Sequence, residues 1–114
     1  MEEELCRDII KKMLNLKDLD VVVYKNLLRQ RRKVKVNDLS HIVGRDRSTV
    51  QRSLNRLVKA GLCRKEKRIM RNGGYYYIYS VKEAEEIRDI IEKCLEEWYT
   101  KIKTKLLEGE EFLS

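Results

Sequence analysis

The chain has no proline, one histidine, one phenylalanine and one tryptophan among its 114 residues. Without proline no helix meets an obligatory break, and five glycines leave little material for a loop-rich fold. The single histidine, His41, is isolated in a short helical segment and reads as a partly exposed polar residue rather than a base or ligand. No glycine-rich phosphate loop, paired-carboxylate site or cysteine cluster is present, so an enzyme is not expected. Cys6, Cys63 and Cys94 are odd in number and widely spaced. They form no metal-ligand pattern and fit a reducing compartment, and neither metal nor cofactor is expected. No run of about 18 apolar residues occurs, so no membrane partner is expected. The acidic start MEEELCRD lacks the basic and apolar regions of a signal peptide, which points to the cytoplasm.

What the chain does have is charge, unevenly placed. Residues 29–71 hold fifteen Lys and Arg against three acids, a net +12. Residues 1–28 hold five bases and six acids, a net −1. Residues 72–114 hold six bases and ten acids, a net −4. A basic centre set in a neutral-to-acidic frame repels itself, and an external polyanion is its natural counterpart.

Apolar periodicity divides this frame into elements. Leu5, Ile9, Met13 and Leu16 recur at three- and four-residue steps and predict a helix over 2–15. Residues 18–32 predict a second, with Leu19, Val22, Val23, Leu27 and Leu28 able to face a core. RKVKV is long enough only for a bridging strand. Asn37 reads as the N-cap of a short third helix with Leu39, Ile42 and Val43 inward, and Gly44 as its stop. Asp46 reads as the cap of RSTVQRSLNRLVKA, which Gly61 ends. LCRKEKRIM and YYYIYSV predict two strands around RNGG, where Asn-Gly signals a hairpin. A last helix of about 27 residues spans roughly 40 Å. The fold class is therefore mainly α with a small β-hairpin.

These pieces, in this order, resemble the winged helix-turn-helix of MarR-like and TrmB-like transcriptional regulators, the small archaeal ones especially. VNDLSHIVG is similar to the first helix of the helix-turn-helix, RDRSTVQRSLNRLVKAGL to the recognition helix, and CRKEKRIMRNGGYYYIYSV to the wing. The resemblance implies one domain over 1–114. Its winged-helix core would occupy 17–81, flanked by helices at 1–16 and 82–108 that commonly join two copies. Family members often carry two helices after the wing, whereas one is expected here.

At 100° per residue, Val50, Leu54, Leu57 and Val58 gather on one side of the fourth helix. Ser48, Arg52, Asn55 and Arg56 lie opposite them, with Gln51 on the flank and no acid among them. Arginine pairs with guanine and glutamine with adenine in a major groove about 12 Å wide, which admits a helix. The recognition helix, 46–60, is thus expected to read base edges through Ser48, Gln51 and Arg52. Arg47, Thr49, Asn55 and Arg56 would hold phosphates or take mixed roles. In the wing, 63–80, Lys65, Lys67, Arg68, Arg71 and Asn72 would meet the backbone or minor groove, with Arg71 and Asn72 at the tip favoured. Tyr75, Tyr76, Tyr77 and Tyr79 read as strand packing, with base stacking as the alternative.

In the last helix Ile87, Ile91, Cys94, Leu95, Trp98, Ile102 and Leu106 form one apolar stripe, too long for a small domain to cover. A two-fold homodimer would cover it and present two recognition helices to double-stranded DNA. The expected function is a DNA-binding transcriptional regulator, associated with the nucleoid. Two alternatives stand beside it: a weakly selective chromatin-type protein, and a winged helix used for protein–protein assembly. The residues name no small-molecule effector. Cys6 invites an oxidant-sensing role known among MarR-like repressors, but Arg7, next in sequence, would not lie alongside it on a helix.

Overall fold

Element boundaries follow from where helical backbone stops being affordable for the residue present. The computed structural model describes residues 1–109, and residues 110–114 of the expected domain lie outside the described residues. Five helices and one hairpin occur in the order α1 (Glu2–Leu14), α2 (Asp18–Gln30), α3 (Val36–Val43), α4 (Arg47–Lys59), β1 (Cys63–Ile69), β2 (Tyr75–Val81) and α5 (Ala84–Leu107). The mainly helical fold class, with its winged helix-turn-helix and long last helix, is the one observed.

α2 ends two residues before the expected limit, because Arg31 turns to φ 50. α3 begins at Val36 with Lys35 as its cap, not at Asn37. Asn37 lies inside the first turn, and its carbonyl accepts the Ser40 hydroxyl at 2.7 Å. That bond allows Ser40 to be buried while Ile42 stays 41% exposed, against the inward position expected for it. On α4, Asp46 caps as expected, accepting the Thr49 N–H at 3.2 Å.

The core is one cluster that includes Val23, Leu27, Val34, Leu39, Val50, Leu54, Leu57 and Tyr79, all essentially buried. α2, α3 and α4 pack on one another, and the hairpin closes the cluster from the side. The hairpin is antiparallel, in register from Cys63 opposite Val81 to Ile69 opposite Tyr75. Val34 adds a bridge to Tyr79, with N···O distances of 2.9 and 2.8 Å. The bridging strand expected from RKVKV is therefore a single paired residue. At the tip, Met70 N–H donates to the Gly74 carbonyl at 2.7 Å, so the loop is Arg71–Gly73 rather than a two-residue Asn-Gly turn.

Two apolar edges were available to several helices, and packing chose between them. Val22 and Leu28 of α2 stand 45% and 47% exposed, while Val23 and Leu27 are buried. On α1, Leu5 and Ile9 point to solvent, and Cys6 and Ile10 line the cleft toward α2 and α5.

Gly61 ends α4 at φ +85, and a Cβ there would lie 2.9 Å from Cδ1 of Ile90 on α5. Gly44 has a similar φ of +75 but open space around it. Left-handed backbone costs an L-residue about 1–2 kcal/mol. Gly44→Ala should cost that amount in a urea unfolding midpoint, and Gly61→Ala measurably more, because the α4 turn also supports α5.

Candidate nucleic-acid interface

The basic helix is positioned by the face it buries. Val50, Ser53, Leu54 and Leu57 are fully enclosed, which turns the opposite side of α4 to solvent. Arg47, Ser48, Arg52 and Asn55 are exposed there, as the wheel predicts. No acidic side chain lies on α4 itself.

The interior bonding of these residues differs from what their types suggest. The Asp46 carboxylate accepts the Ser48 hydroxyl at 2.6 Å and the Thr49 hydroxyl at 2.5 Å. These hydroxyls, with the Thr49 N–H, hold the Asp46 carboxyl well below the usual carboxylate range. Each hydroxyl has committed its proton and offers an incoming group only lone pairs. Gln51 is half-buried, and its Nε2 donates to the Tyr79 hydroxyl at 2.9 Å and to Asn55 Oδ1 at 3.1 Å.

Arg56 turns inward from the outer face. Its Nε lies 3.0 and 2.9 Å from the two carboxylate oxygens of Asp20, and its NH2 group lies 2.8 Å from one of them. Asp20 is wholly buried and also accepts the Ser53 hydroxyl at 2.6 Å and the Lys17 N–H at 2.8 Å. Burial alone would push the Asp20 carboxyl up, but Arg56, the Lys17 N–H and Ser53 together bring it below its ordinary value. In return, the hydrogen bond to Asp20 pushes the Arg56 guanidinium up. Neither Asp20 nor Ser53 was singled out from the sequence. The signal was there: Asp20, Val23 and Leu27 share one spacing, which puts an acid on the core face of α2.

The wing organises its cations rather than leaving them free. Lys65 Nζ lies 4.2 Å from the centre of the Tyr77 ring, Lys67 Nζ 4.2 Å from Tyr75, and Lys35 Nζ 4.3 Å from Tyr76. On the strand face that also carries Tyr76, Glu66 is held between Lys33 at 3.0 Å and Arg68 at 3.1 Å, and Arg64 pairs with Glu86 of α5. Lys33 first, then Arg68, draws the Glu66 carboxyl down. Arg71 and Asn72 are exposed at the tip, where Asn72 Oδ1 accepts the Gly74 N–H at 3.2 Å.

The α5 stripe divides in two. Ile87 packs against the core, and Ile87 and Ile91 line a cleft of about 650 Å³ with α1 and α2, alongside Cys6, Ile10 and Tyr24. Cys94 is half-buried. Leu95, Trp98, Ile102 and Leu106 remain 49%, 39%, 47% and 61% exposed.

Helices α2 to α4 around one core, followed by a hairpin beside a basic helix, define a winged helix-turn-helix. Residues 10–85 match the family model described as sugar-specific transcriptional regulator TrmB, and the chain belongs to that family of transcriptional regulators. It is 40% identical over 100 residues to the uncharacterized protein MJ1503 of Methanocaldococcus jannaschii, covering 88% of this chain and 74% of that one. Among solved structures, a possible transcriptional regulator from Methanosarcina mazei is 34% identical, with a TM-score of 0.82 over 93% of this chain and 89% of that one. A crystal structure of MarR is 27% identical, with a TM-score of 0.53 over 88% of this chain and 72% of that one.

The Asp20–Arg56 pair makes a pH-dependent prediction. Its folded carboxyl pKa lies below the unfolded value of about 3.9, so its stabilisation is complete above that pH and is lost as pH falls further. Arg56→Ala leaves a buried carboxylate unpaired and should cost roughly 3–5 kcal/mol at pH 7. In that variant burial dominates and the folded pKa rises above the unfolded one. The deficit should therefore shrink by pH 4, where Asp20 can enter the core protonated. Urea unfolding of both proteins at the two pH values checks this, and an equal deficit would assign Arg56 a packing role only.

Proposed function

We propose that the protein is a DNA-binding transcriptional regulator that acts as a homodimer, with α4 in the major groove and the wing tip on the backbone or minor groove. The observation that carries this is the outer face of α4. Arg47, Arg52 and Asn55 are exposed and not matched by any acid on that helix, within a segment of net charge +12. Arg52 is the main candidate for a base edge, joined by Gln51 and by the Ser48 lone pairs. Arg47, Thr49 and Asn55 are assigned to phosphate or mixed roles. Arg56 is assigned to Asp20 rather than to DNA.

In the wing, Arg71 and Asn72 lead at the tip, Lys65 and Lys67 follow on their tyrosine rings, and Arg68 remains partly engaged with Glu66. On this reading residues 17–81 hold DNA. The flanking helices, 1–16 and 82–108, hold the second copy, chiefly through Leu95, Trp98, Ile102 and Leu106. Ile87, Ile91 and Cys94 serve the packing of α5 on its own domain first. Two recognition helices would then stand about one DNA turn, some 34 Å, apart.

Titration against the protein's own promoter and against random duplex, each at two salt concentrations, tests the reading. A specificity ratio above about 10³ is expected. Equal and steeply salt-dependent affinities would favour the weakly selective nucleoid-type alternative. Absence of binding at low salt would leave the assembly reading. Arg52→Ala should cost roughly 1–3 kcal/mol and relax preference at one position, whereas a uniform loss would make Arg52 a phosphate contact. Light scattering at micromolar concentration should give twice the mass of one chain, and Trp98→Glu should halve it.

A further inference from the structure

Among the described residues, the one side-chain hydrogen bond between the recognition helix and the wing is that from Gln51 to Tyr79. Tyr79 is 1% exposed, and its ring is fixed by the core and by the Val34 bridge on its backbone. Its hydroxyl is therefore a stationary acceptor, delivered by β2 to the flank of α4, 2.9 Å from Gln51 Nε2. The second amide proton is taken by Asn55 Oδ1, one turn further along the helix, at 3.1 Å.

A glutamine that recognises adenine by the paired mode must donate from Nε2 to N7 while Oε1 accepts from N6. With both Nε2 protons engaged inside the protein, that mode is closed, and only Oε1 is left for an incoming base. In the major groove the groups that donate to such an oxygen are exocyclic amines, on adenine N6 and cytosine N4. Asn55 is complementary. Its Oδ1 already accepts from Gln51, so the groups it has wholly free are its Nδ2 protons, suited to guanine, to purine N7 or to phosphate.

We propose that Tyr79, a residue of the wing strand with no access to DNA, is a positioning residue that sets the polarity of recognition. It holds Gln51 as an acceptor that selects an amino-bearing base, and through Gln51 it leaves Asn55 as a donor. This rests on the DNA-reading role of α4. It replaces the adenine pairing expected of Gln51 from its type alone, and it makes the wing contribute to sequence preference without touching a base.

Base preference is measured by selection from randomised duplexes with the full-length wild type, Tyr79→Phe and Gln51→Glu, each first shown to be folded by its thermal transition. Wild type should prefer adenine or cytosine on one strand at a single position of each half-site. Phenylalanine keeps the buried ring and removes only the acceptor. Tyr79→Phe should therefore lose roughly three- to tenfold of the discrimination at that position, the range of one hydrogen bond, with the salt dependence of binding unchanged.

Glutamate cannot donate but keeps the accepting oxygen, and the Tyr79 hydroxyl can donate to it. Gln51→Glu should therefore bind every sequence more weakly, through repulsion from phosphate, yet keep the same preferred base. An unchanged preference in Tyr79→Phe overturns the proposal. Loss of the preference in Gln51→Glu overturns it as well, by showing that Gln51 donates to the base. Wild type that binds duplex with no preference at any position overturns the sequence-reading role of α4 itself, a distinct result from either variant failing alone.

Discussion

A carboxylate taken wholly out of water must recover its lost hydration from fixed partners, or it stays neutral. Asp20 recovers it four ways, from two nitrogens of the Arg56 guanidinium, the Ser53 hydroxyl and the Lys17 N–H. Those partners lie on α4 and at the start of α2, so one buried charge fixes both the beginning of α2 and the rotation of α4 about its axis. Leucine packing alone would tolerate small rotations of α4, because apolar contact is non-directional. A fork-shaped ion pair does not, since its hydrogen bonds fail when the geometry drifts. The exposed arginines and Asn55 of α4 inherit their direction from this anchor.

The same helix is fixed at its other margins by polar bonds of shorter reach. Asp46 collects the Thr49 N–H and the Ser48 and Thr49 hydroxyls, which stops fraying at the start of α4. Tyr79 reaches the middle of the helix from the wing, and Gly61 lets α5 close against the last turn. Each device converts a residue that looks available for DNA into one that is already partly engaged. What is left free on α4 is a smaller and more directional set of groups than its composition implies. The wing follows the same pattern: tyrosine rings and Glu66 restrict where its lysines and Arg68 can go, so any contact they make with phosphate loses less side-chain entropy.

Much of this was legible in the chain because it depends on local chemistry. The order of elements, the Asp46 cap, the Gly44 and Gly61 stops and the buried Val50, Leu54 and Leu57 all follow from short-range spacing. The resemblance to MarR-like and TrmB-like regulators rested on the same residues and agrees with the TrmB match. The misread positions share a different character. Ile42, Val22 and Leu28 are apolar residues on the second edge of an amphipathic helix, and only the neighbouring element decides which edge is covered. Arg56 and Asp20 belong together across 36 residues of sequence, a distance over which no periodicity carries information.

The amino-acid sequence by itself determined a basic, proline-free, mainly helical winged domain, because helix caps, apolar period and charge segregation act within a turn or two of chain. Tertiary structure alone decided which polar groups are free. Arg56 faces a buried acid and Gln51 a buried tyrosine hydroxyl, each partner brought from a distant segment, while Lys65 and Lys67 meet aromatic rings across the hairpin. It also divided the α5 stripe, packing a half-buried Ile87 against its own core and leaving Trp98 and Leu106 uncovered. The reason is physical: burial and hydrogen-bond satisfaction are properties of the space between elements, and that space exists only once the elements have packed.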